Sequence, residues 1–277
     1  MNKRPIVRYH GGKWKLAPWI IDHFPKHKVY VEPYGGGGSV LLRKNKSYAE
    51  VYNDLDGEIV NLFRVVRERG EELISVLQLT PFAREEYLNA WYASDDPLEQ
   101  ARRTLIRSFM GFGSAAITLN RKPHNDTRGI SAKTGFRANS NRSGTTPAHD
   151  WKNYPFALEE IIKRLQGVVI ENRDAMQCML QHDSEQTLFY VDPPYVKSTR
   201  DVGEDYKYEM TDEQHIKLSE CLNSLKGMII LSCYDSELYQ TLYSGWTKDQ
   251  KFTFADGAKK RIEVIYMKNI EGESLWK

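Results

Sequence analysis

Four consecutive residues, Asp192-Pro193-Pro194-Tyr195, have the types to hold a planar, amino-substituted ring. They follow the β-type run Leu188–Val191. Two prolines continue neither a strand ladder nor a helix, so the chain must turn at the strand's carboxyl end. That turn sets a carboxylate, a carbonyl and an aromatic ring on one rim. The Asp192 carboxylate and the Pro193 carbonyl can each accept a hydrogen bond from an exocyclic amine, while Tyr195 offers its face. Taken alone, the tetrapeptide reads equally well as an ordinary Asp-Pro turn, and its company has to decide.

Three other groups keep that company. Tyr9-His-Gly-Gly-Lys13 lies near the N-terminus, where it also reads as a basic, solvated end. Glu32-Pro33-Tyr34-Gly35-Gly36-Gly37 follows the short apolar run Val29–Val31. Glycine lets backbone approach a ligand closely and take positive φ, so such a loop after a first strand suits a bound cofactor. Asn53-Asp54 closes a second strand (Tyr48–Tyr52) roughly 20 residues beyond the glycine loop, where an acid can accept hydrogen bonds from both ribose hydroxyls. Asp174, after the run 168–170, has the position of an N-cap for a helix over 175–180.

Holding these groups requires strands that end together. Residues 29–66 read as strand, turn, helix (Val40–Arg43, capped by Ser39), strand and helix (Ile59–Val66). Residues 70–110 read as helical, with Pro81 and Pro97 as punctuation. From Gly111 to Pro155 the composition turns to Gly, Ser, Thr, Asn and Arg, and this stretch is expected to be a loop that orders on a nucleic acid. Strand signals resume at 168–170 and 188–191. A helix over Asp212–Leu225 capped by Thr211 follows, then strands at Met228–Cys233 and Ile262–Met267. The expectation is an α/β sheet (1–56 and 161–277) split by a mainly helical, basic insertion (57–160), with ligands at the carboxyl ends of the strands. There is no internal repeat.

The charge distribution agrees. The 277 residues carry a net +2, yet residues 101–152 hold ten Lys/Arg against two Asp/Glu and residues 1–28 seven against one. The two remaining blocks, 29–100 and 153–277, are each net −6. A basic segment inside an otherwise acidic chain suits a polyanion that meets part of the surface, though it also fits a solvated face. With a mean hydropathy of −0.59 and no apolar run near 18 residues, no membrane span is expected. The N-terminus lacks the apolar stretch of a secretion signal. Cys178, Cys221 and Cys233 form neither a Cys-x-x-Cys pair nor a metal-type spacing, and are expected to be reduced, buried thiols of a cytoplasmic protein.

Together these motifs, in this order, resemble the Dam-type (alpha-group) DNA adenine-N6 methyltransferases, over almost the whole chain outside 70–165. The resemblance implies a Rossmann-like methyltransferase sheet and S-adenosylmethionine as methyl donor. By that likeness Tyr9 and Lys13 bind the donor, Glu32 to Gly37 wrap its methionine part, and Asp54 takes the ribose. Asp174 would accept from the donor's adenine amine, and Asp192 would stand at both donor and target. The insertion corresponds to the family's target-recognition domain, making Arg107, Arg121, Lys122, Arg128 and Arg137 the candidate DNA contacts. Leu231–Asp235 resembles the strand and loop after the catalytic segment, and Lys259–Glu263 the basic element of the final strand.

The expected reaction is transfer to the N6 amine of a flipped-out adenine in double-stranded DNA, by positioning and electrostatics, with no metal and no covalent nucleophile. No membrane and no obligatory protein partner are implied. Cytosine-N4 transfer is the nearest alternative, and a catalytically inactive nucleic-acid-binding member of the fold is another. In one respect the chain departs from the pattern. GATC-specific members carry an Asn-Gly-Leu-type hairpin flanked by arginines, whereas this chain has Arg107-Ser-Phe-Met-Gly-Phe-Gly-Ser114 followed by Thr134-Gly-Phe-Arg137. Recognition is therefore expected to be of another short site, or relaxed. A compact enzyme of this kind suits a phage, a prophage or a restriction–modification system.

Overall fold

A computed structural model describes residues 4–113, 135–138, 146–200, 206–254 and 260–270. Its seven strands are β1 (Val29–Glu32), β2 (Ala49–Asn53), β3 (Val168–Glu171), β4 (Thr187–Val191), β5 (Met228–Tyr234), β6 (Thr247–Phe254) and β7 (Lys260–Lys268). They form one sheet in the order β3-β2-β1-β4-β5-β7-β6. The first five are mutually parallel, and β7 runs antiparallel to both of its neighbours. This is the α/β sheet that the sequence pattern predicts, with the Rossmann-like character that the resemblance implies.

Alternation along the strands builds the two cores. Tyr30, Tyr52, Leu188, Tyr190 and Ile230 point to one face, and Val31, Val51, Phe189, Val191, Ile229 and Leu231 to the other. The first face is covered by α2 (Gly57–Glu68), α3 (Gly70–Leu79), α4 (Arg84–Asn89), α5 (Pro97–Met110) and α6 (Pro147–Leu165), together with α1 (Ala17–Asp22). The second lies under α7 (Ala175–Gln181), α8 (Asp212–Ser224) and α9 (Glu237–Leu242). α8 starts with a full capping box, the Thr211 hydroxyl accepting from Gln214 N and the Gln214 amide accepting from Thr211 N.

Two local expectations need correction. The segment 40–43 is a run of turns, closed by Leu42 N donating to Gly38 O and Lys44 N to Val40 O, with no regular helix. The loop expected to reach Pro155 is already helical from Pro147, capped by the Thr146 hydroxyl. Proline inside a helix costs about 3 kcal/mol. Here Trp151, Tyr154, Leu158, Ile161 and Leu165 form one buried stripe, and burial worth roughly 1.5–3 kcal/mol for each large apolar side chain outweighs that cost. Trp151 also donates to Thr80 O (2.8 Å), and Tyr154 to Ile6 O (2.6 Å). β6 and α9 have no distinct signal in the sequence.

α6 runs through the boundary expected at 160/161, and α2 stacks Phe63 on Tyr52 of β2 with ring centroids 4.0 Å apart. The helices of the insertion and the sheet thus share a continuous core. Among the described residues, no helix is long and apolar enough to cross a membrane.

Candidate active site

β1 lies between β2 and β4, so the crossovers leave the sheet in opposite directions on its two sides, and a crevice opens beyond the carboxyl ends. Asp54 follows β2, the glycine loop follows β1, Asp192 follows β4 and Asp174 follows β3. All four border one cleft, closed on its far side by Tyr9, Lys13 and the segment 206–210.

At the β4 end, Lys13 Nζ lies 3.1 Å from Asp192 Oδ2 and donates to Gly11 O at 2.7 Å. Burial alone would lower the Lys13 pKa; the charges of Asp192 and Glu263 outweigh it and hold the ammonium above its usual value. Asp192 is pushed above the ordinary aspartate range by burial, against the pull of Lys13. Its second oxygen, Oδ1, is buried without a hydrogen-bond partner among the described residues. A buried acceptor in that state calls for a donor. Pro194 lines the cleft beside it, and Pro193 is buried.

Tyr195 is placed otherwise than its expected stacking role requires. Its side chain is 3% exposed, its hydroxyl donates to Glu263 Oε2 (2.9 Å), and the Lys13 ammonium sits 4.7 Å from its ring centre. Tyr234 meets the ring edge-on at 4.6 Å. The rings that line the cleft after the tetrapeptide are Tyr206 and Tyr208. The sequence motifs assign no role to the Glu263 and Tyr206 side chains. They lie 68 and 11 residues from Tyr195, and no spacing rule connects them to it.

At the β1–β2 end the glycines are required by packing. A Cβ on Gly35 would come within 2.2 Å of the Tyr52 ring, and one on Gly36, whose φ is +46°, within 2.8 Å of the Tyr9 ring. Tyr52 donates its hydroxyl to Gly36 O at 2.7 Å, and Gly36 N donates to Asp54 Oδ2 at 2.7 Å. Asp54 Oδ1 accepts from Asp56 N (2.8 Å). Burial raises the Asp54 pKa to about 6 in spite of these bonds. Each carboxylate oxygen keeps a further lone pair for a ligand hydroxyl.

Glu32 faces the cleft but is 2% exposed, accepting from Tyr30 Oη (2.8 Å) and Leu41 N (2.9 Å) on the same oxygen. Burial pushes its pKa up to about 8. Pro33 and Tyr34 line the wall. Asp174 caps α7, accepting from Gln177 N at 3.1 Å, and also borders the cleft. The two readings of Asp174 are compatible, because capping uses one oxygen.

The candidate DNA contacts divide. Arg121, Lys122 and Arg128 lie outside the described residues. Arg107 does not present a free charge: it is 7% exposed, ion-paired with Glu58 of α2 and stacked on Trp91. The Glu58 oxygen that it meets also accepts from Thr104 (2.7 Å) and Gln100 (2.9 Å). Arg137 is half-buried, its amide donating to Met110 O at 2.8 Å, next to an antiparallel bridge between Gly111 and Phe136. This bridge joins the two stretches, 107–114 and 134–137, that depart from the GATC pattern.

Comparison with known proteins adds to this geometry. A type II methyltransferase of Lactococcus lactis subsp. cremoris, M1.LlaDCHI, is 26% identical over 94% of this chain and 91% of its own length. The type II methyltransferase M.MjaIII of Methanocaldococcus jannaschii is 23% identical over 89% and 90% of the two chains. The DNA adenine methylase of Escherichia coli is 22% identical over 87% and 84%. The family model described as D12 class N6 adenine-specific DNA methyltransferase matches residues 9–261, which include every cleft-forming element described above. The chain belongs to the D12 class of N6 adenine-specific DNA methyltransferases.

Proposed function

We propose that the chain methylates the N6 amine of adenine extruded from double-stranded DNA, with the amine held by Asp192. The observation that carries this reading is the division of labour within one carboxylate. Lys13 fixes Oδ2, and Oδ1 is buried at the end of β4 with no hydrogen-bond partner among the described residues. The cleft's residues fit the family's donor: a glycine turn with rings packed against its backbone, an acid with free lone pairs at the end of β2, and Asp174 at the end of β3. When bound, S-adenosylmethionine supplies an electrophilic methyl group.

Adenine's amine is a weak nucleophile because its lone pair is delocalised into the purine. Hydrogen bonds from its two N–H groups to Asp192 Oδ1 and the Pro193 carbonyl favour a tetrahedral nitrogen and aim its lone pair. So held, the lone pair would take the methyl group that the donor supplies, and the amine proton would pass to solvent. Catalysis is by orientation and preorganised charge. Tyr195 acts here as a support for Lys13, and Tyr206 and Tyr208 are the rings placed to stack on the extruded base. The insertion and its basic segment grip the duplex, and the site read is short or relaxed.

The test pairs two measurements. Single-molecule sequencing of DNA treated with the purified protein should show N6-methyladenine, and N4-methylcytosine would overturn the assignment. A duplex carrying 2-aminopurine at a methylated adenine position should brighten on binding as the base leaves the stack. An unchanged signal, with single-stranded DNA methylated faster than duplex, would overturn the extrusion step.

A further inference from the structure

We propose that Glu171, Cys178 and His182 form a binding site for a thiophilic divalent cation, of which zinc is the probe. Cys178 lies on α7 and His182 is the C-cap residue just past its end, four positions later, and Glu171 ends β3 beside them. One ligand atom from each lies within 4.8 Å of the other two. Four-coordinate zinc, with bonds of about 2.0–2.3 Å, sets its ligand atoms roughly 3.3–3.8 Å apart. Closure by about 1 Å is therefore enough, within reach of side-chain rotation. His182 Nε2 is already 3.1 Å from Glu171 Oε1.

The chemistry of the set selects its ion. Thiolate, imidazole and carboxylate together suit zinc and not magnesium or calcium, which take oxygen ligands. A thiolate and a carboxylate neutralise a dication, so the filled site buries no net charge, and the thiol proton leaves to solvent as the metal–sulfur bond forms. Cys178 is fully buried, whereas the Glu171 and His182 side chains are 17% and 22% exposed. An ion enters from that side and keeps one position for water. Arg173, 3.3 Å from Glu171 Oε2, occupies the oxygen turned away from His182. The span from Glu171 to Cys178 encloses Asp174, and the ion staples the β3–α7 turn that carries this cleft residue.

The full chain, freed of any affinity tag and of metal, should bind one equivalent of zinc with a Kd of about 1 µM or tighter. Cobalt(II) in place of zinc should give a thiolate charge-transfer band. That band should vanish in Cys178→Ser and survive in Cys221→Ser and Cys233→Ser. His182→Ala, altered at a partly exposed position and checked by circular dichroism, should weaken zinc by more than the roughly 10–100-fold that loss of an outer-shell partner costs. No binding at micromolar zinc, a band that persists in Cys178→Ser, or unchanged affinity in folded His182→Ala would each overturn the site.

Discussion

Lys13 holds one oxygen of Asp192 at 3.1 Å, and the other is buried without a hydrogen-bond partner among the described residues. The pair explains why a lysine near the N-terminus and an acid 179 residues later belong to one apparatus. Replacing Asp192 by alanine would strand the Lys13 charge in a buried site, a strongly destabilising change in itself. Asparagine is the cleaner probe, since its amide oxygen still accepts from Lys13. Asp192→Asn should lower kcat by about 100- to 1,000-fold, the cost of losing one preorganised charged contact, with DNA affinity unchanged. Near-normal kcat in a folded variant would remove Asp192 from the reaction.

Asp54 receives two backbone N–H groups, from Gly36 and Asp56, and borders the cleft. Asp54→Asn keeps one acceptor for that loop and loses charge-assisted bonding to a ribose. The KM for S-adenosylmethionine should rise by about 10- to 150-fold, in line with the roughly 1.5–3 kcal/mol of a hydrogen bond to a charged group. DNA affinity should hold. An unchanged KM would leave Asp54 with the loop alone.

Glu32 gives a pH signature. Its carboxyl titrates at about 8 in the folded protein against an ordinary 4.5, because of its burial. The folded state therefore binds this proton more tightly than the unfolded chain does. Below the unfolded pKa the group costs nothing; between about 4.5 and 8 the unfolded state ionises first, and stability falls as pH rises. Glu32→Gln, which keeps an acceptor for Tyr30 and Leu41, removes that loss. Its Tm in the absence of ligand should exceed that of the parent chain at pH 8 by more than at pH 5. A difference in Tm that stayed constant across this range would show that Glu32 ionises normally.

The strand ends were legible in sequence because each combines an apolar run with residues that forbid its continuation: Pro33 after β1, Asp54 after β2, Pro193 and Pro194 after β4. β6 was not, since as the sheet's outer strand it leaves Lys248, Gln250 and Lys251 exposed and has no continuous apolar face. α6 hid behind Pro155 and a Ser/Thr-rich approach, although its stripe from Trp151 to Leu165 has helical spacing. Within the site, residue types announced Asp192 and the glycine loop. The Tyr195–Glu263 bond was illegible, because it depends on β7 returning antiparallel beside β5. The burial of Arg107 is illegible for a related reason: its charge groups it with the basic segment, but its partner Glu58 sits 49 residues earlier.

That last placement separates two kinds of arginine in the basic segment. Arg107 is buried against Glu58 and Trp91, so Arg107→Ala should destabilise the fold by about 3–5 kcal/mol, the cost of breaking a buried pair, without altering how DNA binding depends on salt. Arg121, Lys122 and Arg128 are the candidates for phosphate contact. Each one that grips a phosphate should, when changed to alanine, flatten the slope of log K against log salt by about 0.9 on duplex DNA. Stability should be untouched. A side chain that reads a base should instead change which adenines are methylated, by about 1–3 kcal/mol per contact. With the GATC pattern missing at 107–114, most of these contacts should be of the first kind, and methylation should appear at many adenines outside GATC. Modification confined to GATC would strip the departure at 107–114 of meaning. A triple alanine variant with an unchanged salt slope would move the DNA-binding surface away from this segment.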